Sequence, residues 1–202
     1  MSHRPSRHIS VLIWLLAVVS LGVATVLAMS WIASGSVSPF GAGGPAGSPM
    51  EPAAFGPDDG VVPDDEPVGV DSDVPAIARV NPELLAALRE AADAAALDGQ
   101  TIEVTSGWRS VAYQEELLAE AVATYGSEEA AREFVAPPTQ SKHVTGDAVD
   151  IGPLDAQLWL MEHGADYGLC QTYANERWHF ELATSPGGVC PEMSMDATGD
   201  WS

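Results

Sequence analysis

Residues 9 to 33, from Ile9 to Ala33, contain no charged side chain. Such a run is long enough to cross a bilayer as a helix. It also exceeds the apolar core of about 7–15 residues usual in a cleaved signal peptide. Arg4 and Arg7 precede it, and no Lys or Arg follows until Arg79. The positive-inside rule therefore places residues 1 to 8 in the cytoplasm and everything after the run outside. The expectation is an uncleaved, single-pass signal anchor in the cell membrane. Cleavage near Ala33-Ser34-Gly35, giving a secreted chain, is the competing reading, and both export the remainder.

Residues 34 to 76 are rich in Gly, Pro, Ser, Ala and Asp and show neither a helical nor a strand period. Low apolar content and unopposed acidic charge read as a disordered, solvated tether. Residues 77 to 191 are left as one domain, with 192 to 202 read as a flexible tail. The chain carries 8 Lys and Arg against 29 Asp and Glu, a net charge of -21. That balance argues against nucleic acid as a partner, since such binding normally shows a basic patch.

Within the domain, Asn81-Pro82-Glu83-Leu84 reads as a helix start, with Asn81 as cap and Pro82 in the first turn. Leu84, Leu85, Leu88, Ala91, Ala92 and Ala95 form its apolar face, and Gly99 closes it. Thr101 to Ser106 reads as a strand, after which Gly107 allows a turn presenting Trp108 and Arg109. A second helix is predicted over Val111 to Tyr125, with Leu117, Leu118, Ala121 and Val122 inward. Ser127 caps a third, which runs to Val135 before Pro137-Pro138. Leu154 to His163 reads as a fourth helix. Gly168 to Tyr173 and Trp178 to Leu182 read as a hairpin. The fold class is α+β: a small antiparallel sheet with helices packed on one side.

Two stretches carry the chemistry. Ser141-Lys142-His143-Val144-Thr145-Gly146-Asp147-Ala148-Val149-Asp150 sets an imidazole and a carboxylate a short way apart, with Gly146 between them to let the backbone turn. Glu176-Arg177-Trp178-His179-Phe180-Glu181 adds a second imidazole. Strand alternation puts Val149 and Ile151 on one face and Asp150 on the other. It likewise puts Trp178, Phe180 and Leu182 in a core, with His179 and Glu181 in a cleft. His143, Asp150 and His179 make a three-ligand set that suits Zn2+ and leaves a fourth position for water, as catalytic zinc sites do. The plainer reading is two half-buried strands whose polar sides face water. Cys170 and Cys190 bracket His179, and an even pair outside the membrane favours a disulfide over extra metal ligands.

The pattern S-x-H-x-x-G-x-A-x-D followed by E-x-W-H resembles the VanY-type D-alanyl-D-alanine carboxypeptidases. These zinc metallopeptidases are related to VanX-type dipeptidases and to the hedgehog and lysostaphin-like group. Thr105-Ser106-Gly107-Trp108-Arg109-Ser110 resembles the family's S-G-Y-R-S element, with Trp108 in place of the usual Tyr. The three motifs stand in the family's order over about residues 81 to 191.

The resemblance implies the same α+β architecture, Zn2+ as cofactor and a peptidoglycan stem peptide as substrate. It assigns Glu176 as general base and then acid, although alternation alone favours Glu181, which shares a face with His179. Arg109 is expected to stabilise the oxyanion or hold the substrate's terminal carboxylate. Ser106, Gln114 and Ser141 fall at motif positions suited to hydrogen-bonding the peptide, with helix and turn capping as their structural alternative. Asp147, within the ligand loop, reads either as an outer partner for an imidazole or as a turn former. His163 near a helix end, and His3 and His8 before the apolar run, fall outside the set.

With little sequence to spare for a cap over the cleft, the expected activity is a membrane-tethered D,D-carboxypeptidase rather than a strict dipeptidase. An L,D-carboxypeptidase and an L-Ala-D-Glu-type endopeptidase are the enzymatic alternatives. A module that binds stem peptides without cutting them is the alternative of another class.

Overall fold

The structure is a computed structural model and describes residues 55–198. The expected membrane segment at 9–33 and its flank at 1–8 lie outside these residues. Among the described residues no helix is long and apolar enough to cross a membrane.

The elements are β1 (Val68–Gly69), α1 (Pro75–Ala78), α2 (Pro82–Leu97), β2 (Glu103–Ser106), α3 (Val111–Tyr125) and α4 (Glu128–Arg132). They continue with α5 (Lys142–Thr145), β3 (Ala148–Gly152), α6 (Leu154–His163), β4 (Leu169–Gln171) and β5 (His179–Leu182). The five strands form one antiparallel sheet in the order β1-β2-β3-β5-β4.

Local chemistry fixes the helix ends. The Asn81 side chain accepts a hydrogen bond from the Glu83 amide at 2.9 Å, satisfying one of the free donors of the first turn of α2. Ser110 caps α3 and Ser127 caps α4 in the same manner, each through its side-chain oxygen.

Register separates the two faces of the sheet. Val104 pairs with Ile151 and Val149 with Phe180, so these four share one face. They are buried against Leu84, Leu88, Ala91 and Ala95 of α2 and against Ala156 and Leu160 of α6. Burying a side chain the size of Leu, Ile or Phe contributes about 1.5–3 kcal/mol, so this face supplies most of the cohesion. Ser106 pairs with Asp150 and Asp150 with His179, which puts these three on the opposite face. There β3, buried along its whole length, presents its one carboxylate.

Four expectations need correction. First, the tether does not extend to residue 76. Residues 57–59 form a 3-10 turn, and Asp59 is tied to Ser110 by backbone (2.8 Å) and side-chain (2.9 Å) hydrogen bonds. Val68 pairs with Val104 in the sheet. Gly60, at φ +87°, packs so closely that an added Cβ would lie 2.0 Å from the Trp108 carbonyl oxygen. Residues 55–69 are therefore a strap built onto the domain, secured by single well-placed residues that carry no periodicity.

Second, residues 192–198 are not a loose tail. Ser194 bridges to Tyr173, its carbonyl accepts from Ala174 and its amide donates to Thr172, while Ala197 is buried. The Cys170–Cys190 disulfide ties this segment to β4. Third, Trp178 is not a core residue. β5 begins only at His179, and Trp178 is 38% exposed. Fourth, the helices are not all on one side of the sheet: no residue of α3 or α4 joins the main apolar core. On α3, Gln114 and Ala121 are buried, whereas Leu117, Leu118 and Val122 are only half-buried.

Candidate active site

His143 lies on α5, whose end at Gly146 takes a positive φ of 78°. A Cβ there would meet the Arg79 carbonyl oxygen at 2.5 Å, so glycine is needed for the turn from α5 into β3. The Nδ1–H of His143 donates to the Gly107 carbonyl at 2.8 Å. That bond leaves Nε2 as a bare lone pair, 3.4 Å from Asp150 Oδ1. His179, opposite Asp150 across β3 and β5, sets its Nδ1 3.4 Å from the same oxygen.

Asp150 Oδ1 and His179 Nδ1 are buried without a hydrogen-bond partner. Leaving such groups unpaired is costly, and the chemistry of the set offers an explanation. Four tetrahedral positions around Zn2+ lie roughly 3.3 Å apart when the bonds are about 2.0–2.1 Å, close to both observed 3.4 Å separations. Among the described residues, His143, Asp150 and His179 are the group able to hold a metal, their ligand atoms all within 4.8 Å of one another.

Around this triad the second carboxyl oxygen of Asp150 accepts from Arg109 Nη2 at 2.9 Å. Arg109 also donates through Nε to Ser106 Oγ (2.8 Å) and through Nη1 to Gln114 Oε1 (3.2 Å). Gln114 in turn donates to the Ala136 carbonyl at 2.8 Å. The sequence reading placed Ser106 and Gln114 on the substrate. Here their side-chain oxygens are spent on fixing Arg109, which fixes a ligand. Ser141 is buried ahead of α5 and lines the cleft. Glu176 lies in the turn before β5, nearly buried, with Oε2 3.8 Å from His179 Nδ1. The cleft over these groups has a volume of about 190 Å³ and is walled by Phe134, Tyr173 and Trp178 among others.

The family model for D-alanyl-D-alanine carboxypeptidases, VanY, matches residues 77–185, more than half of the chain. The chain belongs to the VanY family. Among solved structures it resembles the vancomycin-resistance D,D-pentapeptidase VanY of a VanB-type cassette in complex with Zn(II). The identity is 26%, covering 61% of this chain and 84% of that one, with a TM-score of 0.50. It is similar to VanYB in complex with D-alanine-D-alanine at 26% identity, over 60% of this chain and 83% of that one, TM-score 0.50. The LdcB LD-carboxypeptidase is 26% identical over 67% of this chain and 72% of that one, TM-score 0.49. No curated protein matches the sequence.

Electrostatics sorts the carboxylates of this VanY site. Burial opposes ionisation of Asp150, but His143, His179 and Arg109 together hold it well below the usual carboxylate range. Burial also dominates at Glu176, and with the neighbouring Asp150 charge it pushes that carboxyl up to about 7, against the pull of His179 and Arg109. One carboxylate is thus kept ionised, and the other is poised for proton transfer near neutrality. Burial drives the His143 pKa down, aided by Arg109. At His179 burial is outweighed by the two carboxylates beside the ring, Asp150 and Glu181, and the pKa rises to about 9.

Sequence reasoning missed two parts of the VanY site. Tyr173 sits beside His179, ring centroids 4.8 Å apart, at a strand-end position that alternation does not mark. The strap adds Gly60, Val62 and Asp64 to a second cavity of about 310 Å³, which shares Arg109, Leu117, Asp150 and Trp178 with the cleft. The strap lies before the matched segment, so no motif could indicate it. Asp147 supports no imidazole: it accepts from Asn81 Nδ2 at 3.2 Å, joining α2 to the ligand loop. His163 packs against Trp159, away from the triad.

Proposed function

We propose that this chain is a zinc-dependent D,D-carboxypeptidase that removes the terminal D-alanine from peptidoglycan stem peptides. The observation that carries the reading is the set of three inward-facing ligand atoms, two of them buried and unpartnered, with Glu176 beside them. Two similar structures support the D,D preference, one named a D,D-pentapeptidase and one holding D-alanine-D-alanine.

His143 Nε2, Asp150 Oδ1 and His179 Nδ1 would hold the ion. When bound, zinc supplies Lewis-acid polarisation of a carbonyl and lowers the pKa of water toward about 7. Glu176 takes the proton from the attacking water and returns it to the departing amine, a role suited to a carboxyl poised near 7. Arg109 has donors beyond the three it spends on Ser106, Gln114 and Asp150. These serve the substrate's terminal carboxylate or the developing oxyanion. Ser141 lines the cleft where the peptide would lie.

The location proposed is outside the cytoplasmic membrane, tethered by residues 9–33. The Cys170–Cys190 disulfide supports an oxidising compartment. A second reading, cleavage inside the stem peptide, is favoured by the strap cavity, which extends the cleft beyond Arg109 and Trp178.

The deciding experiment incubates the full-length zinc-loaded protein with a synthetic pentapeptide stem ending in D-Ala-D-Ala and weighs the products. Loss of one alanine, blocked by a chelator, is the expected result. A cut deeper in the stem moves the assignment to an endopeptidase. A cut confined to the tetrapeptide moves it to an L,D-carboxypeptidase.

A further inference from the structure

His179 uses one ring nitrogen toward the metal-binding group, which raises the question of what fixes the other. Its Nε2 lies 3.2 Å from Glu181 Oε1, and the same oxygen accepts from the Thr172 hydroxyl at 2.8 Å. The Glu181 side chain is 13% exposed, so this is a largely enclosed contact. Thr172 is itself held, its carbonyl accepting from Ser194 of the disulfide-tied segment at 2.9 Å. Lys142 lines a cavity beside Glu181, together with Thr172 and Ser194.

Geometry gives this carboxylate a specific task. An ionised carboxylate only accepts hydrogen bonds, so a neutral His179 facing Glu181 must carry its proton on Nε2. That leaves the lone pair on Nδ1, the atom aimed at Asp150. His143 shows the mirror arrangement, with Nδ1–H committed to the Gly107 carbonyl and Nε2 left bare. The backbone sets one imidazole, and a side chain sets the other.

We propose that Glu181 is the positioning residue of the metal centre: it selects the tautomer and ring orientation of His179 and thereby raises the affinity for zinc. Thr172 holds Glu181 in place, and the segment tied down by Cys190 holds Thr172. The inference rests on the zinc site proposed above. It makes Glu181 neither a ligand nor the general base.

The test measures zinc affinity of the full-length protein by competition with a chromophoric chelator, for the wild type, Glu181→Ala and Glu181→Gln. Loss of such an outer hydrogen-bond partner typically costs 10–100-fold in metal affinity, and that loss is expected for Glu181→Ala. Glu181→Gln should lose less, because its amide oxygen still accepts from Nε2–H but without charge. A second readout is the downfield proton signal of His179 Nε2–H in the zinc-loaded protein. It should be present in the wild type, shifted in Glu181→Gln and lost to exchange in Glu181→Ala.

Wild-type affinity in a folded Glu181→Ala variant overturns the proposal. Should that variant melt at lower temperature without zinc, Glu181→Gln decides: at least threefold weaker binding supports the role, and unchanged binding overturns it. A wild-type chain that binds no zinc overturns the metal centre and this proposal with it. Equal binding by the wild type and Glu181→Ala overturns the positioning role alone.

Discussion

Asp150 and His179 stand directly opposite each other in the β3–β5 ladder, and Nδ1 of the imidazole lies 3.4 Å from Oδ1 of the carboxylate. A cross-strand pair on a sheet face has its Cβ atoms about 4.5–5.5 Å apart, so register alone brings these two groups together. His143 comes from a separate short helix. Its removal should therefore open the ligand set while sparing the sheet. His143→Ala is expected to lose bound zinc yet keep its far-ultraviolet circular dichroism. Unchanged zinc content by atomic absorption would remove His143 from the set.

Glu176 makes no ladder pair and lies 3.8 Å from the nearest ligand nitrogen, so it can be altered without dismantling the triad. Glu176→Gln should lower kcat by about 10²–10⁴-fold, the usual contribution of general acid–base catalysis, with zinc still bound. Steady-state kinetics and metal content on the same preparation check both halves. Normal turnover would transfer the base role to another group.

Proton linkage gives a prediction with a definite sign. The His179 pKa is about 9 in the fold against an ordinary 6.5. Below 6.5 both folded and unfolded chains carry the proton. Between 6.5 and 9 only the folded, metal-free chain does, so its stability falls as pH rises through that window. Zinc must displace the same proton from Nδ1, so its affinity should climb about tenfold per pH unit from 7 to 9. Competition titrations at pH 7, 8 and 9, with melting curves of the metal-free protein, test the two opposite slopes together.

The strap offers a test away from the chemistry. Gly60 has φ +87° and no room for a Cβ beside the Trp108 carbonyl. Gly60→Ala should cost about 1–3 kcal/mol for the backbone conformation, with steric strain added. Because Trp108 adjoins Arg109, kcat/KM should fall as well. A variant melting like the wild type would show that the strap is not held as described.

Reduction of Cys170–Cys190, which closes a loop of 20 residues in sequence separation, should cost roughly 3 kcal/mol in the chain-entropy model. Thermal melting with and without reductant measures it. An equal transition in both would mean that the noncovalent contacts of Ser194 and Ala197 suffice.

Much of this was legible in the sequence, for identifiable reasons. Asn81 and Ser127 announced helix starts because capping is local chemistry within four residues. The ligand set followed from strand alternation at Asp150 and from motif order. Trp178 was misplaced because alternation was extended one residue past the end of the strand. The strap and the 192–198 segment escaped because a few backbone and side-chain contacts with sequence-distant partners hold them, with no periodic pattern to reveal it. Ser106 and Gln114 sat at motif positions, and only the three-dimensional arrangement gives their partner as Arg109.

The segment shared with the family ends at residue 185 and starts at 77, yet the strap lies before it and the disulfide-tied clasp after it. The segment that the family model matches is thus smaller than what this protein needs to stand as a body of its own. A fragment trimmed to the shared boundaries would keep every ligand and the base. It would forfeit the two additions that brace the Arg109 turn on one flank and Thr172 on the other, so a minimal catalytic unit should be cut from residue 55 rather than 77.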